Sequence, residues 1–285
     1  LAYWISGMAI FDAICHAFST IAIGGFSPYD ASIGHFNSVS IETVAIIFMV
    51  ISGMNFSLHF IAWHNNSLKH YLHDPEWKPY LLFLFGLSLL ISLALVENGT
   101  YPVNEAFRKG IFEVVSIATT TGFTTADYAS WPTFVPFLLL MSAFIGACAG
   151  STGGGIKIIR MLLLYKQGSR EIKRLIHPNA VIPIKLGRKP VGSRVIDAVW
   201  GFLAAYVLIF AVLMLVCMAL GEDPITAYSA VGACLNNLGP GLGDATLNYS
   251  TLSDGTKYVL SFAMLLGRLE LFTLLVVLSP SFWEH

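Results

Sequence analysis

Charge is scarce in this chain. Asp, Glu, Lys and Arg together make up 12% of its 285 residues, against about 25% in soluble globular domains. That shortage argues against a water-soluble fold. Cysteine is scarce too, and Cys15, Cys148, Cys217 and Cys234 form no CxxC pair. A disulfide framework or a thiolate zinc site is thereby excluded, and these cysteines read as small buried hydrophobes. The net charge of -1 and the lack of any basic–aromatic stripe argue against a nucleic-acid partner. No Ser–His–Asp set or carboxylate pair stands out, so the chain is read as no enzyme, with no organic cofactor. Of the eight histidines, His59, His64, His70 and His73 sit near the end of one apolar run without forming a metal site. The opening Leu1-Ala2-Tyr3-Trp4 has neither an initiator Met nor a charged start. No signal peptide is read there, and the chain is expected to begin mid-protein.

Apolar residues, by contrast, make up 55% of the chain. Long apolar runs are expected to span a bilayer at about 20 residues each. They fall at roughly 39–63, 79–96, 132–164, 196–220 and 256–279. Three shorter segments, roughly 9–21, 104–118 and 224–235, cannot cross. Each of them ends in a related loop. The loops read Ala22-Ile23-Gly24-Gly25, Thr119-Thr120-Thr121-Gly122 and Asn236-Asn237-Leu238-Gly239. Five residues after the last glycine of each comes Asp30, Asp127 or Asp244, and twenty-eight residues after it comes Gly53, Gly150 or Gly267. Matching offsets in three otherwise different stretches mark an internal repeat, and repeats define architecture.

The repeated unit is therefore span, pore helix, loop, span. Irregular backbone is tolerated at membrane depth only where it lines a watery path or is buried in protein. Glycine lets a backbone aim its carbonyls inward, and a ring of carbonyls can replace the hydration shell of an alkali cation. The four residues of each loop are accordingly the expected filter. The negative end of each pore helix adds to the attraction. Thr119-Thr120-Thr121-Gly122 fits best and Asn236-Asn237-Leu238-Gly239 is the most divergent.

Two further signals lie one position beyond the repeated glycines. Met54, Ser151 and Arg268 are equivalent. Arg268 lies about 14 residues into its expected helix, roughly 20 Å deep, where a charge costs roughly 2.5–3.5 kcal/mol. It is expected to face the path as a barrier to cation flow, or to be tied to Glu270 or helix carbonyls. In the middle unit the run 146–155 carries five glycines, each about 1 kcal/mol less favourable in a helix than Ala. The span should break there, and the loop of Gly150, Ser151, Thr152, Gly153, Gly154 and Gly155, with Lys157 just beyond, is the candidate gate. A nucleotide P-loop lacks its GK[ST] ending here; a packing kink is the plainer alternative.

Ten of the sixteen Lys and Arg residues fall between Lys157 and Arg194, which puts the linker 166–195 in the cytoplasm. The loops then face outward, on the side that carries Asp30, Glu97, Glu105, Asp127, Glu222, Asp223, Asp244 and Asp254. An acidic mouth concentrates cations.

The runs Ser19–Ser27, Thr119–Phe123 and Cys234–Gly241, with the Gly-rich break and Gly267-Arg268-Leu269-Glu270, resemble the second to fourth pore loops, gate loop and pore arginine of Trk-type bacterial potassium uptake proteins, in the Trk/Ktr/HKT superfamily. The resemblance covers essentially the whole chain. It implies an all-α membrane protein with its units around a pseudo-fourfold pore, in the bacterial inner membrane. It implies potassium as the transported ion, a homodimer, and a cytosolic nucleotide-binding regulatory subunit. On it, 1–64 is the second pore unit without its first span, 79–165 the third and 196–285 the fourth, the first being absent. The rival expectation is an ion-coupled transporter of a small organic solute.

Overall fold

A computed structural model describes residues 1–283 except Thr133, Arg188, Leu247 and Glu270. Among the described residues the regular structure is helical apart from a two-stranded hairpin, and the helices follow the repeat. The first unit comprises α1 (Ala2–Ile5), the pore helix α2 (Ile10–Ile21), then α3 (Val39–Ser52), α4 (Phe56–His64) and the short α5 (Lys69–His73). The second runs through α6 (Trp77–Glu97), the pore helix α7 (Val103–Ala118), α8 (Phe134–Ile145) and α9 (Ile158–Ile176). The hairpin β1 (Lys185–Leu186) and β2 (Lys189–Pro190) follows. The third unit holds α10 (Ser193–Ala219), the pore helix α11 (Pro224–Asn236), α12 (Asp254–Arg268), α13 (Leu271–Leu278) and α14 (Pro280–Trp283).

Among the described residues, α6 and α10 are long and apolar enough to cross a membrane by themselves. The stretch 39–63, read from sequence as one continuous span, is instead two helices bent by 91°. The cause lies outside the stretch. A Cβ on Gly53 would sit 2.1 Å from the Tyr80 hydroxyl. The turn is held by Cys148 N–H donating to the Gly53 carbonyl at 2.9 Å and Phe56 N–H to the Gly150 carbonyl at 3.0 Å. Asn55 then starts α4, its side chain accepting from Ser57 N–H at 2.8 Å, as a cap residue does. The stretch 256–279 also departs from the expected single helix: α12 ends at Arg268 and α13 begins at Leu271. The expected break in 132–164 is present between α8 and α9, and α9 carries on to Ile176.

Packing order follows chain order. The pore helix α7 lies against α3 of the first unit as well as α6 and α8 of its own, and α11 lies against α8 as well as α10 and α12. α7 and α11 thus each wedge beside the inner helix of the unit before. The core is built the same way: Leu139, Leu140 and Ala143 of the second unit share a cluster with Ala233 and Leu238 of the third. Met49 of the first shares one with Phe112 and Phe123 of the second. Cys148, Cys217 and Cys234 are buried free thiols, and Cys15 is half-buried.

Candidate functional site

The three pore helices end in the same way. The N–H of the third loop residue donates back to a carbonyl five residues earlier: Gly24 to Ser19 at 2.8 Å, Thr121 to Ser116 at 2.8 Å and Leu238 to Ala233 at 2.8 Å. This is the hydrogen bond of a helix that terminates through a left-handed residue. That residue is the second of each loop, Ile23 (φ 51°), Thr120 (φ 66°) and Asn237 (φ 57°). Two of the three are β-branched, for which this conformation is strained. Strain of that kind persists only where the surroundings impose it. The fourth residue is left-handed too: Gly25 (φ 68°), Gly122 (φ 84°) and Gly239 (φ 103°). The residues between them are not. Alternating hand turns successive N–H groups to one face of a strand and successive carbonyls to the other.

Polar side chains in and beside the loops are hydrogen-bonded within the protein. Thr119 and Thr121 are buried with their hydroxyls 2.8 Å apart, and the Ser116 hydroxyl donates to the Phe123 carbonyl at 2.6 Å. Asn236 accepts from the Tyr206 hydroxyl at 2.8 Å. The third loop differs in one respect: the Gly239 carbonyl accepts from the Tyr249 hydroxyl at 2.5 Å.

The loops pack edge to edge in chain order. A Cβ on Gly25 would lie 2.0 Å from the Thr121 carbonyl oxygen, and one on Gly122 would lie 2.0 Å from that of Leu238. The fourth residue of one loop thus abuts the third carbonyl of the next. Asp30, Asp127 and Asp244 are all exposed beyond the loops.

The Gly-rich segment between α8 and α9 touches all three loops from the helix side. Thr152 donates through its hydroxyl to the Ile21 carbonyl at 2.9 Å. Gly154 N–H donates to the Thr120 hydroxyl at 2.6 Å. A Cβ on Gly154 would lie 1.9 Å from the Asn236 carbonyl oxygen, and one on Gly153 would lie 2.8 Å from that of Thr119. Arg268 donates to the Thr152 carbonyl at 3.1 Å, and Lys157 donates to that of Gly153. Of the equivalent positions, Ser151 bonds the Cys148 carbonyl at 2.6 Å and Met54 packs beside Tyr80. A cavity of about 400 Å³ lies below, lined by 150–155, Lys157, Arg160, Asn237 and Arg268 among others. Sequence reasoning placed Arg268 and the loop at one level; the structure joins them through a hydrogen bond. The alternative tie to Glu270 falls outside the described residues.

Two residues that sequence reasoning passed over belong to this site. Glu76, just before α6, accepts from Ala149 N–H at 2.9 Å and so anchors the Gly-rich segment. Glu113, within α7, accepts from the segment after the second loop. A carboxylate inside the short apolar stretch 104–118 was the available signal for Glu113. Glu76 lies in a polar loop and carried none.

The sequence matches the family described as TrkH, cation transport protein, over residues 2–285. The chain is 52% identical over 284 residues to the Trk system potassium uptake protein TrkH of Halomonas elongata, covering 100% of this chain and 59% of that protein. It is 53% identical over 290 residues to the protein of the same name from Escherichia coli K12, again covering 100% of this chain and 59% of the relative. The fold is similar to the crystal structure of the potassium transporter TrkH from Vibrio parahaemolyticus, with a TM-score of 0.95 and 52% identity over 99% of this chain and 61% of that one. The chain therefore spans about three-fifths of the length of these relatives.

Proposed function

The chain belongs to the TrkH family of cation transport proteins, and on that premise we propose that it forms most of a potassium uptake path across the bacterial inner membrane. Ala22, Ile23, Gly24 and Gly25, with Thr119 to Gly122 and Asn236 to Gly239, supply carbonyls that replace the ion's water. The observation that carries this reading is the left-handed backbone at the second and fourth position of all three loops. Three packing turns with no shared task would have no reason to repeat that alternation, strain included.

Potassium is substrate here, and no bond is made or broken. Exposed carboxylates at the mouth raise the local cation concentration. The ion sheds water against the carbonyl face. Below, the segment 150–155 closes the path, held by Arg268, Lys157 and Thr120. The guanidinium adds a repulsive charge at the same level, so flow requires the segment to move. Ser151 and Gly155 belong to that segment, and its release breaks the bonds to Arg268 and Thr120. The proposal extends to a fourth, similar loop completing the ring, to a homodimer, and to a cytosolic nucleotide-binding regulatory subunit that moves the segment.

Rubidium uptake by cells expressing the full-length protein, in competition with sodium and with labelled organic solutes, tests the reading. Uptake of rubidium that sodium competes with poorly is expected. Uptake of an organic solute without rubidium flux would replace it with an ion-coupled solute transporter.

A further inference from the structure

We infer that Glu113 is a specificity-determining positioning residue, whose buried carboxylate clamps the segment following the second filter loop and so sets the spacing of the filter. This rests on the filter reading above.

Glu113 lies in α7, nine residues before Gly122, and is wholly buried. Its neighbours Phe112, Val114 and Val115 are buried too. A carboxylate in such surroundings is costly unless hydrogen-bonded, and a leucine would fill the volume without that cost. Three donors converge on Oε1: Thr125 N–H at 2.6 Å, the Thr125 hydroxyl at 3.0 Å and Ala126 N–H at 3.1 Å. Oε2 has no hydrogen-bond partner among the described residues. The carboxylate is thus committed to one short stretch of backbone.

The other units do the same job with other chemistry. His16, also nine residues before its loop glycine, has Nε2 3.0 Å from the Ser27 hydroxyl. Ser229, ten residues before Gly239, accepts from Leu242 N–H at 2.8 Å. Every loop is therefore pinned twice, by the helix terminus before it and by a pore-helix side chain after it. Of these three side chains, only Glu113 holds two successive backbone N–H groups.

The clamped segment also reaches the neighbouring unit. Gly34 N–H donates to the Thr124 carbonyl at 3.0 Å, and Thr124 N–H donates to the Ser32 hydroxyl at 3.3 Å. Before it in the chain, Gly122 sits so close to the third loop that a Cβ there would lie 2.0 Å from the Leu238 carbonyl oxygen. Slack at Thr125 would be passed to the chain that follows the first loop and, through Gly122, to the third loop, which is why the effect should appear in ion discrimination.

The test compares rubidium and sodium flux through the full-length protein in proteoliposomes for Glu113→Ala, Glu113→Gln, Thr125→Val and Gly122→Ser. Recovery of folded protein is checked by size exclusion in detergent. Glu113→Ala should lower the rubidium-to-sodium ratio by about tenfold, the factor that loss of a strong hydrogen bond carries. Glu113→Gln keeps an acceptor oxygen and should restore the ratio to within about twofold. A folded Glu113→Ala protein with the wild-type ratio overturns the inference, as does a Glu113→Gln protein no better than the alanine variant. If Glu113→Ala does not fold, Thr125→Val decides: a partial loss of discrimination supports the clamp and an unchanged ratio rejects it. If Gly122→Ser alters the ratio and the clamp variants do not, the clamp alone falls. If none of them alters it, the filter reading falls with it.

Discussion

Replacing Gly122 by serine separates backbone strain from contact. Gly122 has φ +84°, and a Cβ there would lie 2.0 Å from the Leu238 carbonyl oxygen and 3.0 Å from Cδ of Pro240. Holding an L-residue in the left-handed region costs about 1–2 kcal/mol. The contact is the larger effect, because the Leu238 carbonyl has to retreat by more than about 1 Å before ordinary van der Waals separation is reached. That carbonyl belongs to the third loop, so the proposed filter would be deformed at two places at once. Displacements of about 1 Å in a site built for one geometry cost up to about a hundredfold, and discrimination between potassium and sodium should drop by about ten- to a hundredfold. Gly99 provides the control. It also has a left-handed backbone, φ +66°, but a Cβ there meets nothing within 4 Å. Gly99→Ser should lose only the strain, about 1–2 kcal/mol, in a detergent melt and keep the wild-type selectivity in rubidium and sodium flux. If the two variants melt alike and also select alike, the contact between Gly122 and Leu238 has no part in ion choice and the reasoning is refuted.

Removing Arg268 with Arg268→Ala takes away both the bond to the Thr152 carbonyl and a positive charge in the path. Rubidium flux should rise about tenfold or more, by the worth of about one charged hydrogen bond; an unchanged or lower flux in folded protein would contradict the barrier. Thr120→Val keeps the β-branched shape but deletes the acceptor for Gly154 N–H. It should raise resting flux by up to about tenfold, read as rubidium leak without any regulatory partner. Asp223 caps α11, accepting from Ile225 N–H at 3.0 Å and Thr226 N–H at 3.1 Å. Hydrogen bonding to Thr226 holds its carboxyl below the usual range. Asp223→Ala should cost about 1 kcal/mol at neutral pH. Because the folded pKa is the lower one, the cap's contribution is complete above the unfolded value and fades as pH falls through the folded value. Melting temperatures of wild type and variant should therefore converge in acid, and a gap that stays constant with pH would argue against the cap.

The architecture was legible because its determinants are local. Apolar runs, loop glycines at fixed offsets and basic residues gathered in one linker can be read one position at a time. The second unit's break was visible for the same reason: five glycines in 146–155 cannot hold a helix whatever surrounds them. The bend after Ser52 and the interruption after Arg268 were hidden. Each stretch is helix-compatible by composition, and the bend at Gly53 is imposed by Tyr80 and Cys148 from another unit.

The candidate site divides along the same line. The sequence by itself determined which residues make the three loops, which glycine recurs below them and that Arg268 is equivalent to Ser151 and Met54, since a repeat is a property of spacing. Only the tertiary structure decided that β-branched Ile23 and Thr120 adopt a left-handed backbone, that the Gly-rich segment reaches all three loops, that Glu76 bonds that segment and that Glu113 bonds the chain after the second loop. Those features depend on which groups the fold brings together: a buried carboxylate takes its partners, and a strained dihedral its support, from chain that sequence spacing does not identify.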